Sequence, residues 1–155
     1  MQAKIGWLVE QTERLTGLDH FGVYLTALFE ADMLFGNEDR HLNNIAVLRR
    51  GEVFDYCPMF DFGAGLLSNV RDYPMDVEPK VLLSQLRAQP MNAQFVRQVH
   101  AAQANYGAQI RYDSSREDIV NALAEPLAFY AERDRSYISD RVMFCIQTQY
   151  RKLKK

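Results

Sequence analysis

The chain has 155 residues, 18 of them Lys or Arg against 20 Asp or Glu, for a formal net charge of −2. Hydrophobic residues make up 48% and charged residues 25%, an ordinary globular composition that excludes disordered, collagen-like and low-complexity classes. No apolar run reaches the roughly 18–20 residues of a membrane span, and the balanced charge argues against general nucleic-acid binding, which needs a basic face to release counterions.

Ile5, Leu8, Val9 and Leu15 recur at helical spacing and predict a first helix that Gly17 stops. A second helix is expected over Leu18–Leu34, capped by Asp19. Its apolar residues, among them Phe21, Leu25, Leu28, Phe29 and Met33, lie on more than one side, so it should be buried. Phe35–Asn44 is polar and charged. Ile45–Leu48 is apolar, Arg49-Arg50-Gly51 is a turn and Glu52–Tyr56 alternates, which predicts a β-hairpin with Gly51 at its tip. Positions 68–79 read as a loop. Helices are expected over 79–87 and 92–106, the second capped by Asn92 and stopped by Gly107. Another begins at Ser114, where Ser114-x-x-Glu117 is a capping-box pattern. A last one starts near Pro126, a good first-turn residue, and runs toward Tyr150. Its basic end, Arg151, Lys152, Lys154 and Lys155, complements the helix dipole. The expected fold class is α+β, mostly α, as one unit over 1–155. With no secretory leader and only Cys57 and Cys145, the chain fits a reducing cytoplasm.

The chemistry is concentrated in Asn37-Glu-Asp-Arg-His-Leu-Asn-Asn44 and Phe60-Asp-Phe-Gly63. Asp39 and Asn44 are five residues apart, and Asp61 lies 17 beyond Asn44, across the hairpin. The hairpin arms are of similar length, so folding back sets Asp61 beside Asn44. Phosphoryl transfer from ATP needs such a set. Magnesium must bridge the phosphate oxygens, and it prefers hard ligands such as a carboxylate and an amide oxygen. A second carboxylate must face the attacking hydroxyl and accept its proton. Asp61 and Asn44 suit the metal, and Asp39 suits the base. Gly63 and Gly65 would let the chain bend after Asp61. Arg40 either touches phosphate or pairs with a neighbour such as Glu38. His41 alone reads as a structural hydrogen-bonding residue, and Cys57 as a small buried side chain. His20 and His100 sit in helical patterns, and no Cys/His spacing is of the zinc type.

Asp39-Arg-His-Leu-Asn-Asn44, followed by Pro58-Met-Phe-Asp-Phe-Gly63 and Leu66-Leu67, resembles the catalytic half of HipA-like kinases over roughly Phe35–Leu67. Those are bacterial Ser/Thr protein kinases with a protein-kinase-like fold, several of them toxins of toxin–antitoxin pairs. The resemblance implies ATP and Mg²⁺ as cofactors, with Asp39 as the base and Asn44 and Asp61 as the metal and nucleotide ligands. His41 would buttress the loop. The same elements are also similar to phosphoinositide lipid kinases, whose Asn-to-Asp gap is shorter and which lack the Pro-Met-Phe lead-in. Ordinary eukaryotic-type kinases place the His before the Asp, whereas His41 follows Asp39.

A kinase also needs a loop over the phosphates and a strand lysine. The 38 residues before Asp39 read as two helices with scattered glycines and one lysine, Lys4. The expectation is therefore a C-terminal lobe without its nucleotide-covering lobe, weak or inactive alone. The partners expected are a protein substrate, an antitoxin or a second-lobe chain, and a second copy through the uncovered apolar side. The alternatives are a non-catalytic interaction module built on the same lobe and a fragment of a phosphoinositide-type lipid kinase.

Overall fold

The computed structural model describes residues 1–154 and is an α+β fold, mostly helical, with a single two-stranded antiparallel sheet among those residues. Helix α1 (Gln2–Thr16) buries Ile5 and Val9 and stops at Gly17, as its spacing predicts. Helix α2 (Phe21–Phe35) is the buried centre of the fold, with eleven of its residues inaccessible. Asp19 does not cap it. The capping position is His20, which sits in the left-handed region at φ 64° and contributes no side-chain bond. Glu13 Oε1 of α1 instead accepts the Phe21 N–H at 2.8 Å. One helix thus satisfies an orphan donor of the next.

The hairpin pairs β1 (Val47–Arg50) with β2 (Val53–Tyr56), Val47 opposite Tyr56 and Arg50 opposite Val53. Gly51 takes φ 64° at the tip, a conformation that two-residue hairpin turns demand. The base of the hairpin leans on α2 through stacked aromatic rings. Tyr56 lies 5.5 Å from Tyr24, which lies 5.5 Å from Phe21. The Tyr56 hydroxyl donates to the Asp19 carbonyl. This docking fixes where both hairpin arms begin and end.

Helix α3 (Pro79–Leu83) is shorter than its pattern predicts. Leu86 and Ala88 turn into the core, and the Arg87 N–H goes to Glu38 Oε1 at 2.6 Å, so the helix cannot continue. Helix α4 (Phe95–Tyr106) starts three residues after Asn92. Asn92 Oδ1 accepts from Gln94 N at 2.8 Å in a local turn. The fully buried Gln98 holds the lead-in by accepting from Met91 N and donating to Gln89 O.

The capping box of α5 (Arg116–Leu127) is Ser115 with Asp118, one residue later than predicted. Asp118 Oδ2 accepts from both the Ser115 N–H and hydroxyl at 2.8 Å, and the Asp118 N–H returns to Ser115 Oγ at 3.1 Å. Pro126 lies in the last turn of α5 rather than at the start of the final helix. Its missing N–H weakens that turn, the helix ends at Leu127, and α6 (Glu132–Leu153) starts afresh with Glu132 and Asp134 in its first turn and basic residues in its last.

The main core gathers Ile5 and Val9 of α1, Leu25, Leu28 and Phe29 of α2, Val99 and Ala102 of α4, and Cys145 of α6. A second cluster joins Leu34, Ile119, Val142, Met143 and Ile146, and Leu66 packs against both. Glu30 is wholly buried in α2 without a cation. Its carboxylate accepts from Gln103 Nε2, Gln109 N and Ile110 N, tying down the segment between α4 and α5. Among the described residues no helix is long and apolar enough to cross a membrane.

Candidate active site

The site is built on the exit of α2. Asp32 is completely buried four residues before that exit, where a lone carboxylate would be costly. Arg40, also completely buried, answers it. Its Nε lies 2.9 Å from Asp32 Oδ2 and its Nη2 lies 3.0 Å from Oδ1. The guanidinium stacks on the Phe62 ring at 4.9 Å. Burial pushes the Asp32 carboxyl above the usual carboxylate range, against the pull of the hydrogen bonds from Arg40 and Asn37. Of the two alternatives drawn for Arg40, contact with phosphate fails because the residue is inaccessible, whereas pairing with a carboxylate holds, the partner being Asp32 rather than Glu38. Glu38 accepts from the Tyr73 hydroxyl and from Arg87 N. That contact and burial raise the Tyr73 hydroxyl well above its ordinary pKa, burial being the larger cause.

From this buried pair Arg40 reaches both chemistry-bearing segments. Its Nη1 donates to the Asn44 carbonyl at 3.1 Å and to the Phe60 carbonyl at 2.8 Å. Asn37, itself inaccessible, donates from Nδ2 to Asp32 Oδ1 at 2.7 Å and to the Asp61 carbonyl at 3.2 Å. The loop before the hairpin and the segment after it are thus clamped to α2 by one guanidinium and one amide.

Between them the predicted residues come together. Extending the hairpin register sets position 44 opposite position 59, two residues short of Asp61. Asn44 Nδ2 donates to Asp61 Oδ2 at 2.5 Å and to the Asp39 carbonyl at 3.0 Å. Asn44 sits in a short 3₁₀ turn (Leu42–Asn44) that His41 opens through backbone bonds to Asp39 and Asn44. His41 thus shapes the loop with its main chain. Its Nδ1 is buried and has no partner among the described residues. The Asp39 and Asp61 side chains are exposed, while Asn44 is buried beneath them.

Asp61 has φ 61°, in the left-handed region that costs a non-glycine residue about 1–3 kcal/mol. Asn37 on its carbonyl and Asn44 on its carboxylate hold it there. The bend after it does not use glycine freedom as expected, because the left-handed residues are Asp61, Leu66 and Leu67. Gly65 serves close approach instead. A Cβ there would lie 3.1 Å from the Phe62 carbonyl and 3.2 Å from the Phe35 carbonyl. A Cβ at Gly63 would meet open space.

The pair of Asp61 and Asn44 offers one carboxylate and one amide oxygen, a set suited to a hard dication whose shell is completed by phosphate and water. No group of three His, Cys, Asp or Glu side chains fit for a metal occurs among the described residues. Cys57 is half-buried nearby, and His20 and His100 are at the surface. Sequence reasoning missed Asp32 and Asn37. The available signal was a carboxylate within an otherwise apolar helix, which demands a buried cation or donor.

No protein-family model matches this chain, and no curated protein or solved structure matches it.

Proposed function

We propose that this chain is the catalytic half of an ATP-dependent kinase of the HipA-like type, transferring phosphate to a Ser or Thr hydroxyl of a protein. The observation that carries the reading is the 2.5 Å bond between Asn44 and Asp61, closed across the hairpin and joined by the same amide to the backbone of Asp39. Asp61 and Asn44 would hold Mg²⁺, which neutralises the charge on the transferring phosphate when bound. Asp39, exposed and at the edge of the clamp, orients the acceptor hydroxyl and accepts its proton. Arg40 and Asp32 keep those groups in place from beneath and touch no substrate.

The residues ahead of Asp39 fold as α1 and α2 and offer no strand lysine, so the phosphate-covering element of this reading comes from another polypeptide segment. Leu42, Met59 and Phe60, neighbours in sequence of the site residues, are exposed and give that segment an apolar seat.

The test replaces Mg²⁺ with paramagnetic Mn²⁺ in the presence of ATP. Broadening of the amide resonances of Asp39, Asn44 and Phe62 is expected, and Asp61→Ala should remove it. Equal broadening in the wild type and Asp61→Ala overturns the assignment. An interaction module built on the same lobe is favoured if Asp39→Asn leaves the biological effect intact.

A further inference from the structure

Away from the candidate active site, a cavity of about 300 Å³ opens between the end of α2, the 84–87 turn, the start of α4 and the last turns of α6. That is the size of a small-ligand site. Its lining combines apolar Met33, Leu86 and Phe95 with the cationic side chains of Arg87 and Lys152. No carboxylate lines it.

Lys152 is half-buried, and its ammonium donates to Gln149 Oε1 at 2.8 Å. It has no carboxylate partner among the described residues, and burial lowers its pKa. A half-buried cation partnered only by an amide is a standing cost, relieved by an anion. Gln149 is 2% exposed and also lines the cavity. Its Nε2 makes no hydrogen bond among the described residues, so a donor remains available there. Arg87 turns its Nη1 to the carbonyls of Ser84 and Leu86, and it too lacks a carboxylate partner among the described residues. Helix α4 opens on the cavity at Phe95 and Val96, whose N–H groups have no side-chain cap and are free for an anion, while the Gln94 N–H is held by Asn92.

We propose that this cavity binds a small phosphate monoester, its phosphate held by Lys152, Arg87 and the Gln149 amide and its apolar body against Met33, Leu86 and Phe95. A phosphate fits better than a single carboxylate, because donors converge from three elements and a phosphate presents three acceptor oxygens. The site does not depend on the phosphoryl-transfer reading, since it shares no side chain with Asp39, Asn44 or Asp61.

The experiment is an amide-resonance titration of the full chain with phenyl phosphate, with phenol and inorganic phosphate as separate probes. Phenyl phosphate should give saturable shifts at Leu86, Phe95 and Gln149, tighter than either probe alone. Lys152→Gln should weaken it roughly tenfold, the loss of one charge-assisted hydrogen bond, and Arg87→Gln should weaken it in the same direction. Lys154→Gln, which removes an exposed lysine two residues away, should leave it unchanged. Absence of saturable shifts overturns the proposal, as does phenol binding as tightly as phenyl phosphate. Affinity for phenyl phosphate retained in Lys152→Gln and Arg87→Gln, with both variants folded, overturns it equally.

Discussion

A guanidinium shut away from solvent must find its acceptors inside the protein, and Arg40 finds them on Asp32, Asn44 and Phe60. Breaking a buried pair from one side leaves an uncompensated charge, at a cost of about 3–5 kcal/mol. Asp32→Ala should therefore lower the urea-unfolding free energy by that order. Adding Arg40→Met should recover part of the stability by removing the stranded charge. The double variant should still lose Mn²⁺ binding at Asp61, because the clamp on the Asn44 and Phe60 carbonyls is gone. Recovery of both together would mean that Arg40 does not position the site. The residue types of this clamp were visible in the sequence, but the partnership of Asp32 with Arg40 was not. The two are eight positions apart, and only the chain reversal at Gly36 turns one toward the other.

At the level of elements, α5 is the least supported helix, with Ile119 its only buried residue. Local capping therefore weighs more on α5 than on α2, where packing decides. Ser115→Ala removes the acceptor for Asp118 N and should cost α5 about 1 kcal/mol, read as faster amide exchange over 116–120. Asp118 is held below the usual carboxylate range by its bonds from Ser115. Its stabilising effect is present above the unfolded carboxylate pKa and is lost as pH falls through the lowered folded value. Exchange in the first turn of α5 should accelerate on acidification through that range, with α2 unaffected. An acid response equal in the two helices would contradict the capping account. The one-residue error in this box and the misplaced start of the last helix have one cause. Capping and proline rules identify candidate positions, while the packing of Ile119 against α6 and the turn after Leu127 select among them.

Across the whole molecule, α2 serves both cores and also anchors the site, so opening the fold and losing the site should go together. Cys145 reports on this. It is 1% exposed in the main core, and burial pushes its thiol up to about 11. A thiol reagent at neutral pH should reach Cys145 only through global opening, with a rate that rises with urea as the unfolding equilibrium does. Cys57, half-buried beside the site, should react first and without denaturant. Comparable rates for the two cysteines in water would show that α6 opens independently of the core.

The mostly helical α+β class, the central apolar helix, the hairpin and the grouping of Asp39, Asn44 and Asp61 were all legible in the linear chain. They rest on periodicity, turn residues and arm lengths, which are local quantities. The buried clamp of Asp32, Asn37 and Arg40, the left-handed backbone of Asp61 and the cationic cavity under Lys152 were decided by tertiary structure alone. Each depends on which distant groups a desolvated charge or amide meets once water has gone, and no spacing along the chain encodes that.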